Sequence, residues 1–189
     1  MKQVPIGVSN RHIHVTTEDL EKLFGDGYEL TLAKELSQPG EFAAVETVII
    51  KTEKSEIQKV RILGPVRKFT QVEISKTDAR HLGIDAPIRS SGNINGTPGI
   101  TVIGPKGAIE IEKGVIIAER HIHMTTKDAE QFGVQDGQYV NVKVEGERAL
   151  IFQQVLIRVR DSYALDMHID TDEANAANIK TGDKGELIR

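Results

Sequence analysis

Arg11-His12-Ile13-His14-Val15-Thr16-Thr17 returns 109 residues later, almost unchanged, as Arg120-His121-Ile122-His123-Met124-Thr125-Thr126. The recurrence marks an internal duplication. In an extended strand residues i and i+2 share a side, so each His-x-His pair presents two imidazoles on one face, about 6.5 to 7 Å apart at the backbone. That arrangement is a two-toothed clamp for a metal ion, with Arg11 and Arg120 on the opposite face, where they support the strand or an interface.

The repeat continues past the histidines. Thr16-x-x-Asp19 and Thr125-x-x-Asp128 have the form of a capping box, which opens a helix, and each short helix runs to a glycine stop, at Gly25 and at Gly133. Two degenerate copies of the unit open at Ser75-x-x-Asp78, ending near Gly83, and at Asp170-x-x-Glu173, ending near Gly182. Counted back from the cap, the positions four and two residues earlier read His12 and His14, Gln71 and Glu73, His121 and His123, Asp166 and His168. Each half of the chain then offers three ligands: His12, His14 and Glu73 in one, His121, His123 and His168 in the other. Two histidines with a carboxylate, and three histidines, are donor sets of catalytic zinc, which leaves a coordination position open. Five of the six histidines fall on this frame, which packing alone does not predict; His81, alone on a helix, is assigned to packing.

The global numbers bound the reading. The chain has 189 residues, a net charge of −4 and 28% charged residues, which supplies no basic field for nucleic acid and no polybasic patch for a membrane. No apolar run reaches the roughly 18 residues of a membrane span and no leader pattern opens the chain, so a cytoplasmic location is expected. The absence of cysteine removes thiol chemistry and restricts any metal to nitrogen and oxygen ligands.

Between the histidine motifs the chain reads as β-structure. Residues 3–9, 46–52, 58–63, 139–144 and 149–158 have strand composition, and residues 163–170 carry the last ligand. The turn 64–68 delivers Arg67 just ahead of Gln71 and Glu73; its guanidinium suits bidentate binding of phosphate, and an exposed turn cation is the alternative. Residues 89–107 are dense in Gly, Pro, Asn and Ser. They form either a nest of backbone N–H groups around an anion, with Ser90 and Ser91 as added donors, or plain turns at Asn95-Gly96 and Pro105-Lys106-Gly107.

RHIHVT at 11–16, Arg67 leading to QVEIS at 71–75, SSG at 90–92, RHIHMT at 120–125 and DMHIDTDEANA at 166–176 together resemble the PduL-type phosphate acyltransferases, the phosphotransacylases of propanediol utilisation. The resemblance covers essentially the whole chain. It implies a mainly β fold with short capping α-helices, arranged as two small antiparallel β-barrels, one from residues 1–10 with 119–189 and the other from 11–118. It implies two zinc ions, one on His12, His14 and Glu73 and the other on His121, His123 and His168, with Arg67 binding phosphate and Ser91 in the same pocket. The implied substrates are coenzyme A in its acyl form, acetyl-CoA or propanoyl-CoA, and inorganic phosphate, giving acyl phosphate. Members of the family destined for microcompartments carry an amphipathic amino-terminal extension, and this sequence starts a few residues before its first strand, so a free enzyme is expected. A homodimer is compatible with the resemblance.

With no cysteine to carry an acyl group, direct attack of phosphate on the thioester is the expected route, and an acyl-serine on Ser90 or Ser91 is its mechanistic rival. Two other function classes share the ligand sets. A two-zinc hydrolase would release CoA without phosphate, and a non-enzymatic module stabilised by metal would unfold on chelation.

Overall fold

The structure is a computed structural model that describes residues 2–188. In order, the chain forms β1 (Gln3–Ser9), β2 (His12–His14), α1 (Thr17–Phe24), β3 (Leu32–Glu35), β4 (Phe42–Lys51), β5 (Glu56–Gly64), β6 (Gln71–Glu73), α2 (Lys76–Leu82), β7 (Ile88–Arg89), β8 (Ile100–Ile103), β9 (Ala108–Ile111) and β10 (Val115–Ala118). The second copy of the motif opens β11 (His121–Met124), followed by α3 (Thr126–Phe132), β12 (Tyr139–Val144), β13 (Leu150–Val159), β14 (Asp166–Asp170), α4 (Thr171–Ala177) and β15 (Lys184–Ile188).

The fold is mainly β with four short helices, in two compact units. One unit takes the chain up to Asn10, the segment Ser37–Pro39 and everything from Glu119 onward. Its six strands close a barrel in the order β1-β14-β11-β13-β12-β15. Gln38 ties its short segment into this unit: the side-chain amide donates to Ala164 O at 2.9 Å and its oxygen accepts from Ala164 N at 3.1 Å. The other unit, Arg11–Leu36 with Gly40–Ala118, is a curled open sheet of nine strands, β7-β10-β6-β2-β5-β4-β8-β9 with β3 added on β4.

The ladders are mixed rather than uniformly antiparallel, which corrects that part of the expectation. β1 on β14, β11 on β13, β2 on β5, and β10 on both β6 and β7 run parallel. Between β2 and β5, β6 and β10, and β11 and β13 the chain passes through a helix, the usual crossover that lets a later strand return in the same direction, whereas β7 returns to β10 through the β8–β9 hairpin.

All four caps form where the sequence placed them. Thr16, Ser75, Thr125 and Asp170 each accept from the backbone N–H three residues on. In α2, α3 and α4 the acid returns the bond and completes the box. In α1 the Asp19 carboxylate instead takes the Thr70 hydroxyl, whose oxygen accepts from Thr16 N at 3.3 Å, so Thr70 closes the box. The stop of α4 differs from the expected Gly182. It falls at Asn178, which adopts φ 55°, a left-handed conformation that Asn tolerates.

Helices of seven or eight residues are marginal alone, so packing holds them. Leu20, Leu23 and Leu82 are buried in the core of the open-sheet unit, and Phe132 and Ala177 in that of the barrel. Ile13 and Ile122, at the centre of the two histidine motifs, are wholly buried in those respective cores. The arginine before each motif clamps the helix after the partner strand: Arg11 reaches Asp78 at 2.8 Å, and Arg120 reaches Glu173 at 3.1 Å.

Candidate metal centres

Strand register builds the two donor sets. In the open-sheet unit β2 and β6 pair antiparallel, with His12 opposite Glu73 and His14 opposite Gln71. In the barrel β11 and β14 pair the same way, with His121 opposite His168 and His123 opposite Asp166. The frame counted from the caps is therefore a frame of paired strands.

The ligand atoms of His12, His14 and Glu73 lie within 4.8 Å of one another, as do those of His121, His123 and His168. Ligands on one ion at about 2.1 Å are separated by about 3.4 Å in a tetrahedron, so small side-chain rotations close the gap. His14 Nδ1 is 3.3 Å from Leu63 O and His121 Nδ1 is 2.7 Å from Glu119 O. A carbonyl only accepts, so Nδ1 carries the proton in each and Nε2 keeps its lone pair for an ion.

Electrostatics keeps these groups in their ligating forms. Burial, then the neighbouring His12 and Arg67, lower the pKa of His14 from 6.5 to about 3. Burial, then His121 and His168, with Arg158 and Arg160 adding, hold His123 far below its usual value. Burial works to raise the Glu73 carboxyl, but the charge and hydrogen bonding of His12 outweigh it, and the group stays well below the carboxylate range.

The donors fit a divalent ion. They are buried except for the half-buried His168, they are nitrogen and oxygen only, and in the barrel both ring nitrogens of His123 and Nε2 of His168 make no hydrogen bond among the described residues. Buried polar atoms left so cost about 1 to 3 kcal/mol each, which coordination offsets.

The expected accessory residues fall as follows. Ser91 lies against the carboxylate: its hydroxyl donates to Glu73 Oε1 at 2.8 Å, and Gln71 Nε2 donates to the same oxygen at 2.7 Å. Gly92 N donates to Gln71 Oε1 at 2.8 Å, so the 90–92 loop orients the ligand and its one backbone donor here serves a side chain. Arg67 is half-buried, its backbone N–H bonded to Val15 O at 2.8 Å and its guanidinium to Glu41 at 2.9 Å. Pro105-Lys106-Gly107 is the hairpin turn between β8 and β9, whereas Asn95-Gly96 joins no strand pair. His81 is exposed on α2, 2.7 Å from Ser55 Oγ.

Three features lay outside the expected site residues. Glu41 comes to Arg67 from 26 residues away. Asp166, marked by the frame but outside the expected ligand set, sits buried with Oδ2 3.4 Å from His168 Nε2. Tyr163 stacks on His123 with ring centroids 4.1 Å apart and carries Arg158 and Arg160 over its own ring.

Fold and donor sets define a mainly β protein, one closed barrel and one curled sheet, with two histidine-based clusters that could hold a metal ion. The chain belongs to the phosphate propanoyltransferase family, whose model matches residues 5–180. It is 63% identical to the phosphate propanoyltransferase of Thermotoga maritima over 94% of this chain and 85% of that protein. The phosphate propanoyltransferases of Lachnoclostridium phytofermentans and Leptotrichia buccalis are 58% and 53% identical, over 95% and 96% of this chain and 84% and 86% of theirs. No helix among the described residues is long and apolar enough to cross a membrane.

Proposed function

We propose that the protein exchanges a short acyl group between coenzyme A and inorganic phosphate, with an ion on each donor set and zinc as the metal. The observation that carries this reading is the conjunction of a buried His-His-Glu set with a half-buried arginine tied to the end of the same histidine strand. A hydrolase using the same ligands has no need of that arginine. Acetyl-CoA and propanoyl-CoA are the acyl donors proposed.

A divalent ion bound at these sites supplies a Lewis acid for a thioester carbonyl and positive charge for phosphate oxygens. Arg67 binds phosphate through its fork of donors, releasing Glu41 as it does so. Phosphate is already ionised near pH 7, so its attack on the carbonyl carbon requires no general base, and the thiolate of CoA leaves as the acyl–oxygen bond forms. Glu73 is kept ionised and oriented by Ser91 and Gln71, which makes Ser91 a positioning residue in this scheme. An acyl-serine route would instead use the Ser91 hydroxyl as nucleophile, with Glu73 as its base.

Thiol release from acetyl-CoA, followed with and without inorganic phosphate, tests the reading. Release that requires phosphate and yields acetyl phosphate is expected; release indifferent to phosphate would replace the reading with a hydrolase.

A further inference from the structure

The duplication carries a counterpart of Arg67. Val15 and Met124 occupy equivalent positions just after the two histidine pairs, and the carbonyl of each accepts from an arginine backbone N–H. Arg67 N bonds Val15 O at 2.8 Å, and Arg160 N bonds Met124 O at 3.1 Å. Each arginine follows a strand, β5 or β13, that pairs parallel with the histidine strand of its own unit. Pro65 and Val66 separate β5 from Arg67, whereas Arg160 follows β13 at once. From His14 to Arg67 the chain runs 53 residues and from His123 to Arg160 only 37, so the two arginines are 93 residues apart instead of 109, and alignment of the repeats does not pair them.

The side chains differ in one respect that matters. Arg67 is bonded to Glu41. Arg160 lies over the Tyr163 ring at 5.6 Å, Arg158 lies over the same ring at 6.0 Å, and among the described residues neither has a carboxylate partner. Tyr163 in turn stacks on His123, and Arg158 is the register partner of His123 across β11 and β13. Two guanidiniums gathered on one ring repel each other unless an anion lies between or beside them, and planar forks of this kind match phosphate oxygens.

We propose that Arg160 and Arg158, splinted by Tyr163, form a second phosphate-binding subsite beside His123, the barrel's counterpart of the Arg67 clamp. The subsite takes a phosphate oxyanion, either free inorganic phosphate or a phosphate group of coenzyme A. The assignment of these ligands rests on the phosphate acyltransferase reading.

The test uses the full metal-replete chain and its Arg160→Gln, Arg158→Gln and Arg160→Lys variants. Calorimetric titration with inorganic phosphate and, separately, with coenzyme A gives affinities, and elemental analysis gives metal content. A fall of about tenfold or more in phosphate affinity in both Gln variants, with metal content and coenzyme A affinity unchanged and partial recovery in Arg160→Lys, supports the subsite with inorganic phosphate as its ligand. The same fall confined to coenzyme A supports it with the cofactor's phosphate as the ligand. Unchanged affinity for both, or no binding of either by the unsubstituted protein, overturns it. Loss of affinity that tracks loss of metal overturns it too, since the arginines would then serve the histidines. Binding is read without turnover, so phosphate affinity that depends on Arg160 supports the subsite even in a protein that fails to transfer acetyl groups.

Discussion

Replacing Ser91 with alanine removes one of the two donors on Glu73 Oε1 and leaves Gln71 Nε2 without its second acceptor. A hydrogen bond to a charged group contributes about 1.5 to 3 kcal/mol. Gln71 remains in place at 2.7 Å and the small cavity admits water, so the low end applies, about 1.5 kcal/mol, or roughly a tenfold weaker hold on the ion bound by His12, His14 and Glu73. Competition against a chromophoric chelator at fixed pH reads this directly, and one of the two ions should weaken while the other keeps its affinity. At saturating metal the variant should retain turnover within about tenfold, because a positioning residue acts through the ligand it holds. Metal affinity unchanged from the unsubstituted protein would refute the orienting role. Collapse of turnover with metal fully bound would refute it in favour of an acyl-serine, and a burst of thiol without phosphate would then accompany the parent enzyme.

Glu41→Gln should free Arg67 from an ion pair that is partly exposed and hence worth up to about 1 kcal/mol, lowering the KM for phosphate by about fivefold or less with kcat unchanged; a raised KM would show that Glu41 orients the guanidinium instead. In metal-free protein the folded pKa of His14, about 3, lies below its ordinary 6.5, so the unfolded chain binds a proton that the folded chain refuses. The stability this contributes is present above about pH 6.5 and is lost as pH falls, by up to about 1.4 kcal/mol per pH unit for one such group, with His123 adding in the same direction. Denaturant melts of chelator-treated protein at pH 7 and 5.5 should show the loss, and a flat profile would contradict it. Ile122→Ala, at the wholly buried centre of the barrel's histidine strand, should cost about 2 to 5 kcal/mol by thermal or chemical melt, and a cost under 1 kcal/mol would mean that the strand is not part of the barrel core.

Local grammar made much of this molecule legible. The caps at Thr16, Ser75, Thr125 and Asp170 involve contacts three residues apart, and the alternation that puts His12 beside His14 is a property of any strand. Because all four copies share the cap as origin, the frame also located Glu73 and His168, which join their histidines only through antiparallel pairing across long stretches of chain. What the frame could not supply was long-range: the parallel ladders of β10 and β13, the open edge of the nine-stranded sheet, and Thr70 completing the cap of α1 from 54 residues beyond Thr16. Glu41, Tyr163 and Arg160 belong to the same class. Each meets its partner through tertiary register with no recurring spacing to betray it, and the longer connection from His14 to Arg67 hid the kinship of Arg67 and Arg160.

The central claim is that each copy of the duplicated motif builds its own metal centre. Elemental analysis of purified protein, of His14→Ala, of His123→Ala and of the double variant tests it most directly. The account gives two ions per chain in the parent, one in each single variant and none in the double. One ion in the parent, or both ions lost from a single variant, would contradict it.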